Sequence, residues 1–190
     1  MSPLDHVLRL GAILDSLSVP WVLGGSLASS LIGEPRSTLD VDLAVLLDVA
    51  QLDSLIDAVA PDYYVDAPGA RDAVRDGGSF NLIDFATGLK VDLFPLTSDP
   101  LDRRQLVHRE RVELSPGVEI WVGAPIDQVL RKLRWFRLGG EVSDRQWRDV
   151  LAILRVQGDG IDRAELVDAA EQLDLGDLAR RAIADADTGQ

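Results

Sequence analysis

The sequence predicts an α+β protein in which a mixed β-sheet is flanked by helices and followed by a region made of helices alone. Up to about residue 122, apolar runs typical of strands alternate with stretches that have the period of amphipathic helices. Two pairs of strands are separated by short turns that contain glycine, which is the pattern of β-hairpins. From residue 124 onward only helical patterns remain. We therefore expect a core of residues 1–123 and a helical region of residues 124–190 that packs on it.

The elements of the core follow from local signals. The run 41–47 is almost continuously apolar, which favours a central strand covered on both faces. Asp99 and Pro100 have the order of a helix N-cap and first helical residue. The predicted helices of the core are residues 4–17, 26–32, 51–59, 70–75 and 99–108, and the predicted strands are residues 19–23, 41–47, 63–66, 80–85, 89–94, 111–114 and 118–122.

Four helices are predicted after the core. The first has an apolar stripe and is broken by Gly139 and Gly140. The second and third each begin with a polar N-cap pattern, at Ser143 and Asp162. The first two helices are predicted over residues 125–138 and 143–157. The third is predicted to begin at residue 162 and the fourth at about residue 177.

Composition excludes several kinds of site. The 190 residues are 46% hydrophobic and 27% charged, which is typical of an ordered domain with a real core. The absence of cysteine excludes disulfides, cysteine zinc sites and thiol catalysis. Because only His6 and His108 are present, histidine metal clusters and histidine-based triads are not expected.

Charge and hydropathy also constrain location and partners. The N-terminus has no basic start followed by a long apolar run, so no signal peptide is predicted. No stretch reaches the ~18 apolar residues of a membrane span, and a cytoplasmic protein with no membrane partner is expected. The net charge of −13 argues against nucleic-acid binding over a broad basic surface.

A glycine-rich turn stands between the predicted strand 19–23 and the helix that follows it. It reads Gly24-Gly25-Ser26. Glycines at such a turn let backbone N–H groups approach a phosphate, and a helix N-terminus favours negative charge. The segment is a candidate phosphate-binding loop.

Carboxylates interrupt two later apolar runs. Asp40 and Asp42 lie two residues apart, so both should point to one face of a strand. Two such carboxylates repel by roughly 4 kcal/mol at an effective dielectric near 20, and a divalent cation with oxygen ligands relieves this. Asp92 could help to hold a second metal or deprotonate an attacking hydroxyl. Asp84 is either an extra carboxylate of the site or a solvated strand end.

The order of these motifs resembles the polymerase-β-type nucleotidyltransferase superfamily. The sequence of residues 36–42, RSTLDVD, is similar to the corresponding segment of the small bacterial branches of this superfamily. These branches include nucleotidyltransferase toxins of abortive-infection systems. The resemblance covers roughly residues 19–94 and implies a nucleotidyltransferase core. By this resemblance the nucleotide-binding residues are Gly24, Gly25 and Ser26, and the catalytic and metal-binding residues are Asp40, Asp42 and Asp92. Arg36 and Thr38 would then have either a turn role or a substrate contact.

Basic side chains are concentrated in the first two helices of the helical region. Residues 125–157 contain seven basic and four acidic side chains, about +3 in a chain of net charge −13. Such a patch could neutralise phosphates, or it could be a solvated helix face with i,i+4 pairs. Lys132, followed by Arg148 and Asp149, resembles the lysine-bearing helix and Arg-Asp pair of the same branches. The resemblance implies that Lys132 binds nucleotide phosphates and makes Asp149 a further candidate.

The leading functional hypothesis is Mg²⁺-dependent transfer of a nucleoside monophosphate from an NTP, such as ATP, to a hydroxyl of RNA (tRNA), protein or a small molecule. Pyrophosphate is released, two metal ions take part, and Mn²⁺ could replace Mg²⁺. A second hypothesis is a catalytically silent nucleotide-binding or interaction module that associates with the partner protein of a toxin–antitoxin pair. A third is an aminoglycoside-type antibiotic nucleotidyltransferase, since strong acidity suits a cationic acceptor.

Overall fold

The computed structural model describes residues 2–35 and 37–188. These residues form seven β-strands, nine α-helices and one 3₁₀ turn, Gly158–Gly160. The strands are β1 (Trp21–Leu23), β2 (Val41–Val45), β3 (Tyr63–Val65), β4 (Phe80–Asp84), β5 (Lys90–Pro95), β6 (Glu110–Ser115) and β7 (Val118–Val122). The helices are α1 (Pro3–Ser16), α2 (Gly25–Ile32), α3 (Val49–Val59), α4 (Ala67–Asp76), α5 (Pro100–Val107), α6 (Pro125–Leu138), α7 (Asp144–Gln157), α8 (Arg163–Glu171) and α9 (Gly176–Thr188).

The strands form one mixed sheet, which confirms the predicted fold class. Their order is β3-β4-β5-β2-β1-β7-β6. The pairs β2–β5 and β1–β7 are parallel, and the other neighbours are antiparallel. The side chains of Val41, Leu43 and Val45 are fully buried, as the apolar run predicted for a central strand.

A capping box explains one difference between the predicted and observed boundaries. The strand predicted over residues 41–47 ends at Val45, and α3 starts earlier than predicted because the Asp48 carboxylate accepts the Gln51 backbone N–H at 2.8 Å. The Gln51 side chain accepts the Asp48 N–H in return. Helix α4 also starts three residues early, with a proline in its first turn and without a side-chain cap.

The described residues fall into two compact units. The sheet unit comprises the described residues of Met1–Leu27 and Thr38–Gly123, and the helical unit comprises those of Ala28–Ser37 and Ala124–Gln190. That residues 124–190 pack on the core stays a prediction. In the described part of the chain, no helix is both long enough and apolar enough to cross a membrane.

A buried polar contact joins α1 to the edge strand β3. His6 is completely buried, and its Nδ1 lies 2.8 Å from the Tyr63 hydroxyl. The Arg9 guanidinium lies over the Tyr63 ring and pairs with Asp62. Burial raises the pKa of Tyr63, so its hydroxyl is available as a hydrogen-bond donor at neutral pH. These contacts help to fix the face of the sheet that α1 covers.

Asp84 is neither an extra carboxylate of the site nor a solvated strand end, the two roles that the sequence left open. It is 2% exposed, and its Oδ1 accepts hydrogen bonds from the Thr87 hydroxyl and N–H, both at 2.7 Å, and from the Ala86 N–H at 3.0 Å. It is three residues from Asn81, the register partner of Asp92, and therefore points to the opposite face of the sheet. Asp84 is thus a buried cap of the β4–β5 turn, and both the extra site carboxylate and the solvated strand end are wrong.

Replacing Thr87 by valine should lower the free energy of unfolding by about 1.5–3 kcal/mol at pH 7, because a buried carboxylate loses a hydrogen bond. The Thr87 hydroxyl is the main cause that holds the pKa of Asp84 below its ordinary value. Because the pKa of Asp84 is lower in the folded protein than in the unfolded chain, ionised Asp84 stabilises the fold above its pKa in the unfolded chain. This stabilisation is lost as the pH falls through the pKa of Asp84 in the folded protein. The difference between wild type and variant should therefore shrink below about pH 4.

Urea denaturation across pH 3–8 measures this difference. The matched control is Thr188→Val, whose hydroxyl donates to the backbone carbonyl of Ala184 and should give a small effect that does not depend on pH. A Thr87→Val deficit that is constant across this pH range would contradict the assigned role of Asp84.

Candidate active site

The Gly24-Gly25-Ser26 turn connects β1 to α2, as the sequence predicted. Strand β1 ends at Leu23, and the Gly24 N–H donates to the backbone carbonyl of Asp42 at 2.9 Å. Gly25 begins α2 with a φ of +62°, in the left-handed region that other residues rarely adopt. Ser26 follows in the first turn and is 8% exposed. The turn is therefore tied to the strand that carries Asp42.

The Asp42 carboxylate lies directly against Gly25. A Cβ added at Gly25 would stand 1.8 Å from Asp42 Oδ2 and 2.6 Å from its Cγ, far inside van der Waals contact. Position 25 therefore needs glycine for two reasons, its backbone conformation and the space that Asp42 fills. The glycine turn and the first strand carboxylate form one structural unit.

The parallel pairing of β2 with β5 places Asp42 and Asp92 side by side. They are register partners, so their side chains point to the same face of the sheet. Both residues are half-buried, and the side chain of Asp92 is 17% exposed. The sequence could place each carboxylate on a strand but could not show that they face each other.

Asp40 differs from Asp42 in its surroundings. It is exposed and precedes β2, and its N–H donates to the Thr38 hydroxyl at 3.2 Å in a local turn. Because Asp40 lies outside the strand, the alternation used to place it beside Asp42 does not apply to it. The hydrogen bond is consistent with the turn role of Thr38, a substrate contact of Thr38 stays a prediction, and Arg36 lies outside the described residues.

A cation that the sequence analysis did not single out stands among these carboxylates. Lys90 begins β5, and its Nζ lies 2.8 Å from Asp92 Oδ2. The hydrogen bond to Asp92 raises the pKa of Lys90, and the charges of Asp92, Asp40 and Asp42 act in the same direction, while burial opposes them. The available signal was its spacing: residues 90 and 92 of a strand share a face.

Helix α5 contributes a second residue that sequence reasoning missed. Gln105 is 3% exposed, and a Cβ added at Gly24 would lie 3.8 Å from its side-chain Nε2. The side-chain amide therefore lies next to the glycine turn. The N-terminus of α5 is fixed by the buried Asp102, which accepts the Thr97 N–H at 2.9 Å and its hydroxyl at 2.8 Å.

Lys132, in the helical unit, is buried in an ion pair. Its side chain is 5% exposed, and its Nζ donates to Asp149 Oδ2 at 2.7 Å, which joins α6 to α7. The Arg-Asp signal of the sequence thus corresponds in part to an internal contact. A phosphate-binding role for Lys132 stays a prediction.

Part of the predicted basic patch is also used internally. Arg137 pairs with Asp177 at 2.7 Å and with Glu141 at 2.8 Å, and the second of these is the i,i+4 pair considered in the sequence. Hydrogen bonding to Asp177 is the main cause that raises the pKa of Arg137. At Arg137, the basic charge of α6 and α7 is therefore neutralised by ion pairs within the helical unit.

Comparison with known proteins identifies the fold. No protein-family model matches the sequence, and no curated protein matches it significantly. Solved structures do match. An antigenic nucleotidyltransferase-like protein from Paracoccidioides brasiliensis has a TM-score of 0.56 and 18% identity over 82% of this chain and 75% of that one. The antibiotic-resistance factor ANT(2'')-Ia has a TM-score of 0.55 and 14% identity over 100% and 98%. The lincosamide adenylyltransferase LnuA, solved with lincomycin, has a TM-score of 0.52 and 12% identity over 81% and 96%.

The chain has a nucleotidyltransferase fold. At these identities the similarity extends to the fold and not to a substrate. The link to toxin–antitoxin systems stays a prediction.

The donor set in this nucleotidyltransferase fold fits a hard divalent cation in kind, because its side-chain donors are carboxylate oxygens. Among residues 2–35 and 37–188, however, no group of three or more His, Cys, Asp or Glu side chains is arranged to hold a metal ion. Instead, the Lys90 ammonium lies on Asp92. Metal binding by Asp40, Asp42 and Asp92 therefore stays a prediction.

Proposed function

We propose that the protein is a nucleotidyltransferase that moves a nucleoside monophosphate from an NTP to a hydroxyl acceptor and releases pyrophosphate. The observation that carries this proposal is the register pairing of Asp42 with Asp92, with Asp42 held against the Gly25 turn. The nucleotidyltransferase fold supports the same reaction class. Two half-buried carboxylates side by side are costly unless cations offset their charge, and the metal ion of a bound nucleotide would do so.

Each group of site residues has its own role in the proposed reaction. The backbone of Gly24 and Gly25, with Ser26, binds the triphosphate at the N-terminus of α2. Asp92 accepts the proton of the attacking hydroxyl, whose oxygen forms a bond to the α-phosphorus. The bond from the α-phosphorus to the bridging oxygen breaks, and pyrophosphate leaves. Asp40 and Asp42, with Asp92, would hold Mg²⁺, or Mn²⁺, which supplies charge stabilisation to the phosphates when it is bound.

The acidity of the segment that carries the site carboxylates favours a cationic acceptor over a polyanion. Residues 38–99 contain twelve aspartates against three basic residues, a net charge of −9. Such a field attracts cationic molecules and repels a nucleic-acid backbone. A cationic antibiotic is therefore a second candidate for the acceptor, and two structural neighbours, ANT(2'')-Ia and LnuA, are described as an antibiotic-resistance factor and an antibiotic adenylyltransferase. RNA (tRNA) and protein are also tested as acceptors in the experiment below.

The experiment incubates purified protein with Mg²⁺ and each α-labelled NTP. The acceptors are cellular RNA, cellular protein and a panel of aminoglycosides and lincosamides. Asp42→Asn is the test variant, and Asp57→Asn, an exposed aspartate of α3, is the matched control. The proposal predicts label on one acceptor class with wild type and Asp57→Asn, and only background with Asp42→Asn.

Two outcomes would contradict the proposal, the first its assignment of Asp42 and the second the transfer itself. Full transfer by Asp42→Asn would remove the carboxylate from the mechanism. Absence of transfer to every acceptor, while Mg²⁺ and NTP still raise the melting temperature, would favour the silent nucleotide-binding module instead. Association with the partner protein of a toxin–antitoxin pair would then be the next hypothesis.

A further inference from the structure

Lys90 stands where a cation is electrostatically required. It is two residues from Asp92 on the same face of β5, and the two side chains form an ion pair at 2.8 Å. The charges of Asp40 and Asp42 also act on the Lys90 ammonium. The Lys90 ammonium therefore offsets part of the mutual repulsion of these carboxylates.

The two side chains of the ion pair differ in solvent exposure, which favours movement of the lysine rather than of the aspartate. The Lys90 side chain is 52% exposed, whereas that of Asp92 is 17% exposed. Asp92 is fixed in the sheet by its register with Asp42 and Asn81, while more than half of the lysine side chain is exposed to solvent. Lysine is a compact charge on a flexible four-carbon stem and suits such a movement.

We propose that Lys90 is a resident counter-ion of the carboxylates that a divalent cation displaces from Asp92, after which the ammonium binds the phosphates of the nucleotide. The proposal rests on the proposed function in one respect, because it assumes that metal and NTP bind at these carboxylates. It accounts for the finding that the three predicted ligands, which all lie among the described residues, are not arranged as a metal site. It also assigns a cation of the protein, beside the metal ion, to the triphosphate.

The competing interpretation is an ordinary exposed ion pair, which contributes little to stability and has no effect on a ligand. The two interpretations differ in whether the removal of Lys90 changes metal binding. If Lys90 occupies the cation site, its removal should tighten metal binding. If the pair is only structural, removal of Lys90 should leave metal binding unchanged.

The first arm measures Mn²⁺ affinity by electron paramagnetic resonance in the absence of nucleotide. Lys90→Met, which keeps the apolar stem, should bind Mn²⁺ about five- to tenfold more tightly than wild type, because the metal no longer competes with the ammonium. Lys90→Arg should stay within about threefold of wild type, since the charge is retained. The matched control is Arg71→Met, which removes the same charge from another exposed ion pair of the sheet unit, Arg71–Asp53 at 2.7 Å.

The second arm measures the affinity for a non-hydrolysable ATP analogue at saturating Mn²⁺. Lys90→Met should weaken this affinity about tenfold, because a charge-assisted phosphate contact is lost. The proposal thus predicts opposite changes for metal and nucleotide from one substitution. A purely structural residue would not produce opposite changes, and thermal melting checks that each variant is folded.

Mn²⁺ binding that is unchanged or weaker in Lys90→Met, or equally tightened in Arg71→Met, would overturn the proposal. Tighter metal binding with unchanged nucleotide affinity would overturn its nucleotide half. Neither arm depends on turnover. Tighter Mn²⁺ binding by Lys90→Met together with absence of transfer by wild type would support the counter-ion and contradict only the proposed enzyme.

Discussion

Gly25→Ala is expected to lower transfer activity by at least about 100-fold, which is the effect of moving a reacting group by about 1 Å. The new Cβ would stand 1.8 Å from Asp42 Oδ2, so the carboxylate must leave its position against the turn. The positive φ of residue 25 adds backbone strain of about 1–3 kcal/mol for a residue other than glycine. Steady-state kinetics and urea denaturation of the same preparation measure the two effects.

Gly117→Ala is the matched control for this prediction. Gly117 also has a positive φ, +77°, but no atom lies within 4 Å of an added Cβ. It should therefore show the loss of stability without the loss of activity. Wild-type activity in Gly25→Ala would mean that the position of Asp42 against the turn is not needed for the reaction.

Lys132→Met is expected to lower the free energy of unfolding by about 3–5 kcal/mol, because it leaves Asp149 as a buried charge without its ammonium partner. The side chains of the pair are only 5% and 7% exposed. The double variant Lys132→Met with Asp149→Leu should recover part of this loss, since replacement of a whole buried pair by apolar residues is often neutral. Urea denaturation monitored by tryptophan fluorescence measures all three stabilities.

Arg163→Met provides the exposed counterpart in the same unit. Its ion pair with Asp187, at 2.5 Å, has side chains that are 40% and 51% exposed, so its loss should cost less than about 1 kcal/mol. If Lys132→Met costs no more than Arg163→Met, the ammonium is not a structural buried charge. The phosphate-binding role implied by the sequence resemblance would then regain support.

The fold was largely predictable because its signals are local. Asp99 and Pro100 start α5 as expected, and the almost continuous apolar run after Asp40 became a central strand. The boundary of β2 was predicted two residues too far, because Asp48 and Gln51 form a capping box that the apolar pattern conceals. Helix caps made by neighbouring residues can be found in a sequence when each Asp-x-x-Gln pattern is examined.

The site was less predictable because its geometry depends on pairing between distant strands. Asp42 and Asp92 are fifty positions apart, and a shift of one residue in the β2–β5 register would turn one of them to the opposite face. Asp84 was placed wrongly for a different reason. Its turn residue Thr87 was a recognisable partner for an aspartate side chain, and this local signal was overlooked.

The two lysines show what spacing alone can indicate. Lys90 and Asp92 are two residues apart in a strand, which places both side chains on one face but does not show the ion pair. Lys132 stays a predicted phosphate ligand, and the structure adds that it lies between the buried positions of Val129 and Phe136 on α6. Helical spacing alone would have placed its stem in the apolar interior, where a lysine needs a carboxylate partner.

The central claim is that the β2–β5 register makes Asp42 and Asp92 parts of one reaction site. A double-variant cycle on the rate of pyrophosphate release tests it most directly, with Asp42→Asn, Asp92→Asn, their combination and Asp57→Asn as the control. Each single variant should lose at least about 100-fold in rate. The combination should be no more than about threefold slower than the slower single variant, because residues that act as a unit are not additive. A wild-type rate for Asp92→Asn, or losses that multiply in the combination, would contradict the shared site.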